Sequence, residues 1–226
     1  MIIYRMSSNL STHEPPFFTG KKDKIVDFCL KSFKGALGHR LYQLPIHFIL
    51  DNCPSYYEDI IRSYFRYKIS IEYTELGNYA STLKTYIKAL ETQDDWFFFV
   101  EDDYVWDKGA VTIIEKAIPE LKLISPYDHP DYYTADIFKK DEPIRFIAGH
   151  HFRGAVSNTM TFACTREVLE THYDLFQHKG SLDSDLFTEL PVKLWTPVPT
   201  LATHFVHNKL APRSKIQIIS SGLKII

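Results

Sequence analysis

The sequence predicts an α/β protein whose mainly parallel central sheet is flanked by helices. In roughly the first 120 residues, short apolar runs of strand length alternate with segments whose apolar residues recur at the 3.6-residue helical spacing. Repeated strand–helix–strand units require crossovers, which place successive strands parallel and helices on both faces of the sheet. These two observations are typical of a single layered domain with a ligand site at one sheet edge.

Four strands and four helices are expected in this first half. Apolar runs predict strands at 1–6, 45–50, 69–73 and 96–100, and the helical spacing predicts helices at 23–37, 57–65, 78–91 and 107–118. Gly77 and Asn78 introduce the third helix, and Asp107 is an expected N-cap of the fourth. Parallel strands leave their carboxyl ends at one edge of the sheet, where such proteins bind their ligands.

The second half, from about residue 121, has a different pattern. The segment 125–154 is rich in Tyr, His, Asp and Pro and weakly periodic, which favours a long substrate-facing loop. We expect a strand at 157–164, a helix at 165–176, a short helix opening at 182–186, a strand at 198–206 and an edge strand within 215–226.

Composition narrows the functional classes. The net charge is −2 with no long basic run, so there is no clear nucleic-acid signature, although a local basic patch is compatible with this average. The aromatic share of 15% suits a site for planar or ring-shaped ligands. The sequence offers no apolar run of membrane-spanning length and no signal peptide. Three widely spaced cysteines indicate reduced thiols, so the protein is expected to be cytoplasmic.

The most informative segment is the aromatic run at 96–100, which ends in Glu101, Asp102 and Asp103. Three adjacent carboxylates repel one another and resist burial unless a cation or strong donors compensate them. Mg²⁺ and Mn²⁺ prefer carboxylate oxygens, so the motif indicates a divalent metal site, with a solvated acidic turn as the alternative. Asp51 ends another predicted strand, so the sequence predicts that all four acids lie at one sheet edge.

Taken in order, these motifs resemble the GT-A class of nucleotide-sugar-dependent glycosyltransferases, in the style of its family-2-like members. The resemblance covers about residues 1–212 and is one of motif order. In that class, a strand ends in an acid that reads the nucleobase, and Asp51 of I-L-D-N matches it. The F-V-E-D-D segment at 99–103 is similar to the E-D-D form of the class's metal-binding D-x-D motif.

Three later segments extend the resemblance. The segment 157–169 looks like the strand-to-helix element beside the donor sugar. L-D-S-D-L at 182–186 is similar to the element that supplies the catalytic base of inverting members, although Leu182 stands where the class carries Glu. T-H-F at 203–205, followed by Lys209, resembles a late metal-binding His and a basic residue beside the diphosphate. That last element is closest to its form in retaining members, so inversion is the first expectation and the stereochemistry stays open.

The resemblance implies roles for these residues. The base is Asp183, with Asp185 as the next candidate, and the ligands of Mn²⁺ or Mg²⁺ are Asp103 and His204. The expected nucleotide-sugar contacts are Asp51, Asn78, Glu101, Asp102 and Lys209.

The same resemblance implies a donor and a division of the chain. Because Asp51 can accept a hydrogen bond from a pyrimidine imide N–H, a UDP-sugar is the expected donor, and the acceptor is a carbohydrate or another hydroxyl compound. Asn78 also has an alternative as a helix cap. One domain is expected over 1–226, with a nucleotide-sugar half at about 1–120 and an acceptor and catalytic half at about 121–226.

Two other functional classes stay open. Clustered carboxylates also hold metals in phosphohydrolases and nucleotidyltransferases, a class that favours a second carboxylate pair, of which Asp51 supplies half. The non-enzyme alternative is a glycan-binding module that has the fold without turnover. The sequence has neither a Gly-rich phosphate loop nor G-x-G-x-x-G, which argues against P-loop NTPases and dinucleotide oxidoreductases.

Overall fold

The computed structural model describes residues 1–9, 15–16, 18, 20–135, 142–212, 216–219 and 222–225. Its strands are β1 (Ile2–Ser7), β2 (Ile46–Asp51), β3 (Ile69–Thr74), β4 (Trp96–Glu101), β5 (Tyr104–Trp106), β6 (Leu123–Ile124), β7 (Ile144–Ile147), β8 (His150–Ala155), β9 (Phe162–Thr165), β10 (Leu194–Val198), β11 (Ala202–His204), β12 (Ile216–Ile219) and β13 (Gly222–Ile225). Its helices are α1 (Lys22–Leu37), α2 (Tyr56–Tyr64), α3 (Gly77–Leu90), α4 (Ala110–Leu121), α5 (Asp131–Thr134), α6 (Arg166–Thr171), α7 (Tyr173–Lys179) and α8 (Asp183–Glu189), with a 3₁₀ helix at Gly38–Tyr42.

Nine of the described strands form one sheet in the order β3-β2-β1-β4-β9-β6-β10-β8-β7. The first four are parallel, as the alternating sequence pattern predicts. β9 runs antiparallel to both β4 and β6, and β10 is parallel to β6. The carboxyl ends of β1, β2, β3, β4, β6 and β10 therefore share one edge, called here the upper edge; the opposite one is the lower edge. The predicted α/β fold class is confirmed.

Apolar side chains are buried on both faces of this sheet. On one face, Tyr4, Phe48 and Phe98 pack beneath α1, α2 and α4. On the other face, Ile3 and Phe97 pack beneath α3, α6, α7 and α8. Successive side chains of a strand point to opposite faces, so a strand covered on both sides must be apolar throughout. This requirement explains the unbroken aromatic run in β4.

The second half departs from its predicted elements. The segment 125–154, predicted as a loop, contains α5 and the antiparallel hairpin of β7 and β8. The strand predicted at 157–164 is limited to β9. The strand predicted at 198–206 is not continuous: β10 ends at its first residue, and β11 lies within it. Proline and clustered polar residues hide the two-residue alternation by which a strand is recognised.

β5 and β11 form a small antiparallel sheet beside the main one, in which His204 is paired with Tyr104. This pairing brings a late segment of the chain next to the acidic end of β4. The tail, predicted as an edge strand, forms the hairpin of β12 and β13, which within the described residues pair only with each other. None of the helices in the described part of the chain has the length and apolarity needed to cross a membrane.

Replacing Phe98 by alanine tests the packing beneath α1 and α4. Phe98 is fully buried and meets Trp106 edge to face, with 5.5 Å between ring centroids. We expect Phe98→Ala to lower the free energy of unfolding by about 3–5 kcal/mol, because it removes a buried ring and leaves a cavity. Urea denaturation measures the change. Phe146→Ala, at a ring that is 67% exposed, is the control and should stay within about 0.5 kcal/mol.

Candidate active site

The three carboxylates lie at the upper edge, at the end of β4 and in the turn that leads to β5. The Glu101 N–H donates to Thr161 Oγ1 at 3.1 Å, just before β9. The Phe205 N–H donates to the Asp103 carbonyl at 2.7 Å, just after β11. Two segments of the second half therefore hold the turn that the first half supplies.

Glu101 is compensated by an arginine that comes from the neighbouring strand β1. Arg5 Nη2 donates to Glu101 Oε1 at 2.5 Å, and its Nη1 donates to Asn78 Oδ1 at 2.8 Å and to Ser81 Oγ at 3.2 Å. The arginine side chain is 13% exposed. Burial raises the pKa of Glu101, and the guanidinium offsets part of that rise. Arg5 thus joins the acidic turn to the first turn of α3.

Asp102 is compensated by a lysine at the start of α1. Lys22 Nζ donates to Asp102 Oδ1 at 2.8 Å, and the Ser7 N–H donates to Oδ2 at 3.0 Å. Both oxygens of this buried carboxylate are therefore engaged. Burial raises the pKa of Asp102, which the ammonium of Lys22 opposes. The contacts tie the end of β1 and the start of α1 to the acidic turn.

Asp103 faces a histidine from β11. Its Oδ2 lies 3.0 Å from His204 Nε2, whereas its Oδ1 is buried and has no hydrogen-bond partner among the described residues. Burial raises the pKa of Asp103, but the imidazole of His204 more than offsets this and holds it at about 2. In the same way, burial lowers the pKa of His204, yet Asp103 raises it above its ordinary value. The pair favours a carboxylate facing an imidazolium.

Two tyrosines set the orientation of this imidazole. The Tyr104 ring stacks on His204 with 5.0 Å between centroids and 6° between planes. Tyr127 meets the same ring edge to face at 6.3 Å. The Tyr104 hydroxyl is hydrogen-bonded to Thr159 Oγ1, so the stacking ring is itself held in place.

Asp103 and His204 suit a divalent cation as two protein ligands. A buried carboxylate oxygen without a partner is a costly feature that a cation would remove. A carboxylate oxygen with an imidazole nitrogen is a donor set compatible with Mn²⁺, and the carboxylate also suits Mg²⁺. In the described part of the chain, no three His, Cys, Asp or Glu side chains come close enough together to hold a metal. Any further ligands would have to come from a substrate or from water.

Asp51 is buried next to a cavity at the ends of β2 and β3, whose lining includes its neighbour Asn52. Its Oδ1 accepts from Thr74 Oγ1 at 2.9 Å and from the Leu76 N–H at 2.7 Å, and its Oδ2 accepts from Asn52 Nδ2 at 3.2 Å. These bonds hold the segments that follow β2 and β3. The adjacent cavity has a volume of ≈ 580 Å³ and its lining includes Ser8, Asn52, Cys53, Pro54, Tyr73 and Glu75. A direct nucleobase contact of Asp51 stays a prediction.

The other expected nucleotide-sugar contacts lie at the same edge. Asn78 is in the first turn of α3 and accepts from Arg5, while the residue at the N-cap position is Leu76, so the alternative of a capping Asn78 does not apply. Lys209 follows β11, and its Nζ lies 3.2 Å from Asp131 Oδ2. This contact joins Lys209 to the 125–135 segment, which also belongs to the second half of the chain.

That segment is ordered by a buried ion pair. Asp128 is 1% exposed; its Oδ1 accepts from Arg153 Nη2 and its Oδ2 from the Tyr133 hydroxyl, both at 2.6 Å. The Arg153 guanidinium also lies over the Tyr132 ring, 4.4 Å from its centroid. The aromatic segment predicted to face a substrate is thus held in a defined conformation at the upper edge.

The two candidate bases lie at the start of α8. Asp183 is the first residue of this helix, and its side chain falls outside the described residues. Asp185 Oδ2 lies 3.5 Å from Lys179 Nζ, and its Oδ1 accepts from Ser184 Oγ at 3.3 Å. Within the described residues, no ion pair or hydrogen bond joins Asp185 to the acidic turn. The base role of either residue stays a prediction.

Arg5 and Lys22 were not among the residues predicted for the site. The sequence contains an indication of the role of Arg5, because an arginine within an apolar strand requires a buried partner for its charge. Lys22 carried no such signal, since a lysine in the first turn of an amphipathic helix is usually solvated. Only the crossover from β1 into α1 brings it to Asp102.

Solved structures with a similar fold include two glycosyltransferases. The galactosyltransferase LgtC, solved with donor and acceptor sugar analogues, matches with a TM-score of 0.51 and 9% identity over 87% of this chain and 73% of its own. TarS 1–349 of S. aureus, solved with UDP-GlcNAc, matches with a TM-score of 0.52 and 12% identity over 86% of this chain and 55% of its own. The chain thus spans just over half of that TarS chain.

A third similar structure belongs to another class of enzyme. The 4-diphosphocytidyl-2C-methyl-D-erythritol synthase of Anaerococcus prevotii matches with a TM-score of 0.50 and 15% identity over 87% of this chain and 86% of its own. No protein-family model matches the sequence, and a search of curated proteins found no match. At these identities the similarity establishes the fold, which is that of GT-A enzymes.

Removing the Lys22 charge tests whether the buried carboxylates depend on their cations. We expect Lys22→Met to lower the free energy of unfolding by about 3–5 kcal/mol, because Asp102 is left buried and uncompensated. Adding Asp102→Asn should recover part of this loss. Denaturant unfolding of the single and double variants measures it.

Lys84→Met is the matched control for this experiment. It breaks a pair with Glu72 in which both side chains are about one-third exposed, at 32% and 31%. Its effect should not exceed about 1 kcal/mol. Equal losses in Lys22→Met and Lys84→Met would contradict the role given to Lys22.

Proposed function

We propose that the protein transfers a sugar from a nucleoside diphosphate sugar to an acceptor hydroxyl, with Asp103 and His204 binding a divalent metal ion. UDP is the expected nucleotide and inversion the expected stereochemistry. The observation that carries the proposal is the buried Oδ1 of Asp103, which has no partner among the described residues, beside His204 at the upper edge of a GT-A sheet. LgtC and TarS, which share the fold, were solved with sugar analogues and with UDP-GlcNAc, which supports this donor class.

The nucleotide would lie in the cavity that follows β1, β2 and β3. Its volume of ≈ 580 Å³ is in the range of pockets that hold nucleotide-sized ligands. Asp51 would accept from the imide N–H of uracil while it holds the cavity wall. Asn78 would face the same ligand from the first turn of α3, and Glu101 would contact the ribose or a metal-bound water.

The diphosphate would lie over the acidic turn. When bound there, Mn²⁺ or Mg²⁺ stabilises the negative charge of the departing diphosphate as a Lewis acid. Asp103 and His204 would hold the ion, and the cations paired with Glu101 and Asp102 keep the turn from repelling the phosphates. Lys209, now paired with Asp131, would exchange this partner for a phosphate oxygen.

The transfer itself requires a base for the acceptor. As the acceptor oxygen forms a bond to the anomeric carbon, the bond from that carbon to the phosphate oxygen breaks and the diphosphate leaves. Asp183 would take the proton of the acceptor hydroxyl, and Asp185 is the second candidate. The acceptor, a carbohydrate or another hydroxyl compound, would bind against the 125–135 segment, where Tyr133 is suited to stack on a sugar ring.

A second candidate function is nucleotidyl transfer. The specific observation in its favour is the similarity to the Anaerococcus prevotii synthase, whose chain is covered almost as completely as this one. The two reactions release different products: sugar transfer from a UDP-sugar releases UDP, whereas nucleotidyl transfer from UTP or CTP to a sugar phosphate releases pyrophosphate. Nucleotide binding without either product would indicate a glycan-binding module.

Replacing Asp103 tests the metal assignment. We expect Asp103→Ala to abolish metal-dependent turnover of UDP-, GDP- or CDP-sugars while the fold is retained, because it removes a metal ligand and no core packing. Release of the nucleotide with and without Mn²⁺ measures turnover, and circular dichroism checks the fold. Asp95→Ala, at the opposite end of β4, is the control and should behave as the wild type. Full Mn²⁺-dependent activity of Asp103→Ala would remove the assignment.

Replacing the candidate bases separates them. We expect Asp183→Asn to lower kcat by at least about 100-fold with the donor affinity unchanged, since a base acts on the acceptor proton. Asp185→Asn should have little effect, because that residue is paired with Lys179. Steady-state kinetics and calorimetric titration of UDP measure both. A kcat loss confined to Asp185→Asn would transfer the role, and weaker UDP binding in Asp183→Asn would reassign that residue.

A further inference from the structure

A second cavity, the basal pocket, lies at the lower edge of the sheet. Its volume is ≈ 290 Å³, and its lining includes Lys34, Tyr42, Ser63, Tyr64, Arg66 and Tyr67. These residues belong to the carboxyl ends of α1 and α2 and to the connections that lead into β2 and β3. Since α1 and α2 return from the upper edge, the basal pocket is separated from the acidic turn by the length of a six-residue strand, roughly 20 Å.

The segments that line the basal pocket are basic. Residues 31–45 and 60–71 contain Lys31, Lys34, Arg40, Arg62, Arg66 and Lys68. The two segments contain no Asp or Glu, although acidic residues outnumber basic ones in the whole chain, 28 to 26. The near-neutral average therefore conceals a local positive patch, which attracts anions.

The two cations that line the basal pocket form no ion pair with another described residue. Arg40 is paired with Glu115, and Arg62 lies 2.7 Å from Glu58. In contrast, neither Lys34 nor Arg66 forms an ion pair with any carboxylate in the described part of the chain. Both are exposed and both line the basal pocket, so their charges are available to a ligand.

The aromatic lining is exposed and held in place. Tyr42 and Tyr67 are each 62% exposed and meet edge to face, with 5.5 Å between ring centroids. Tyr64 donates its hydroxyl proton to Asp27 Oδ1 at 2.8 Å, and Lys34 Nζ lies 5.9 Å from the centroid of the Tyr64 ring. Exposed tyrosines that combine an apolar ring with a polar hydroxyl are suited to bind an amphipathic ring such as a sugar.

We propose that the basal pocket binds an anionic saccharide. The sugar ring would lie against Tyr42 and Tyr67, and its carboxylate, phosphate or sulfate group would lie between Lys34 and Arg66. The volume of ≈ 290 Å³ suits a single sugar ring, and its concave form is less suited to a flat anionic surface. The choice of a saccharide rests on the proposed sugar transfer. Such a site would bind an acidic acceptor chain at a point distant from the hydroxyl that reacts.

Direct binding by the full chain tests this proposal. The probe is trigalacturonic acid, the uncharged comparison is maltotriose, and calorimetric titration at low and high NaCl measures the affinity. We expect K34A/R66A to bind the acidic trisaccharide at least about tenfold more weakly than the wild type, and high NaCl to weaken wild-type binding. K88A/K122A is the matched control, because it removes two lysines from other surfaces, each paired with a glutamate. It should retain wild-type affinity.

The outcomes separate this site from the proposed catalysis. Equal affinities of the wild type and K34A/R66A, equal binding of maltotriose, or absence of wild-type binding would overturn the proposal. Tighter binding of a single-stranded RNA oligomer than of the trisaccharide would also overturn it in favour of a nucleic acid. K34A/R66A should turn over the donor at the wild-type rate. Binding lost in K34A/R66A, with no turnover in any variant, would refute the proposed function and leave the saccharide site standing.

Discussion

Three adjacent carboxylates at the end of a buried strand are stable because each one faces a cation from a different part of the chain. Arg5 faces Glu101, Lys22 faces Asp102, and His204 faces Asp103. Without these partners, mutual repulsion and burial would act against the ionised form of all three acids. The contacts also join β1, α1 and β11 to one turn, so the electrostatic compensation and the assembly of the upper edge depend on the same interactions.

The three pairs differ in whether they leave a carboxylate oxygen available to bind an ion. Both oxygens of Asp102 are engaged, and Glu101 is bonded to a guanidinium that also bonds Asn78. Asp103 has one buried oxygen without a partner among the described residues, and its partner is His204, whose imidazole can serve as a metal ligand once Nε2 has lost its proton. Two of the acids thus hold the structure of the turn, and the third combines a structural contact with the capacity to bind an ion.

Much of the fold followed from the sequence, and the resemblance assigned Asp103 and His204 to one site, but the cations Arg5 and Lys22 were not predicted. The period of the apolar residues identified the alternating first half, and the aromatic run before Glu101 identified β4. The hairpin of β7 and β8 was missed, because β8 mixes histidine, arginine and glycine with its apolar residues, and the short edge strand β7 leaves its apolar residues largely exposed. The contact between Asp103 and His204 joins residues far apart in the chain, so it depends on the pairing of β5 with β11, which local periodicity does not specify.

The acidic turn and the basal pocket differ in charge: the acids of the turn face cations, whereas Lys34 and Arg66 at the basal pocket form no ion pair with another described residue. The proposed activity depends most on the upper edge, where Asp103 and His204 are proposed to bind a cation together. Anomalous diffraction at the manganese edge, from crystals grown with UDP and Mn²⁺, tests this most directly. One manganese peak is expected within coordination distance of Asp103 Oδ1 and His204 Nε2. A manganese peak elsewhere at the upper edge, with the Asp103–His204 contact unchanged, would contradict the proposed metal site.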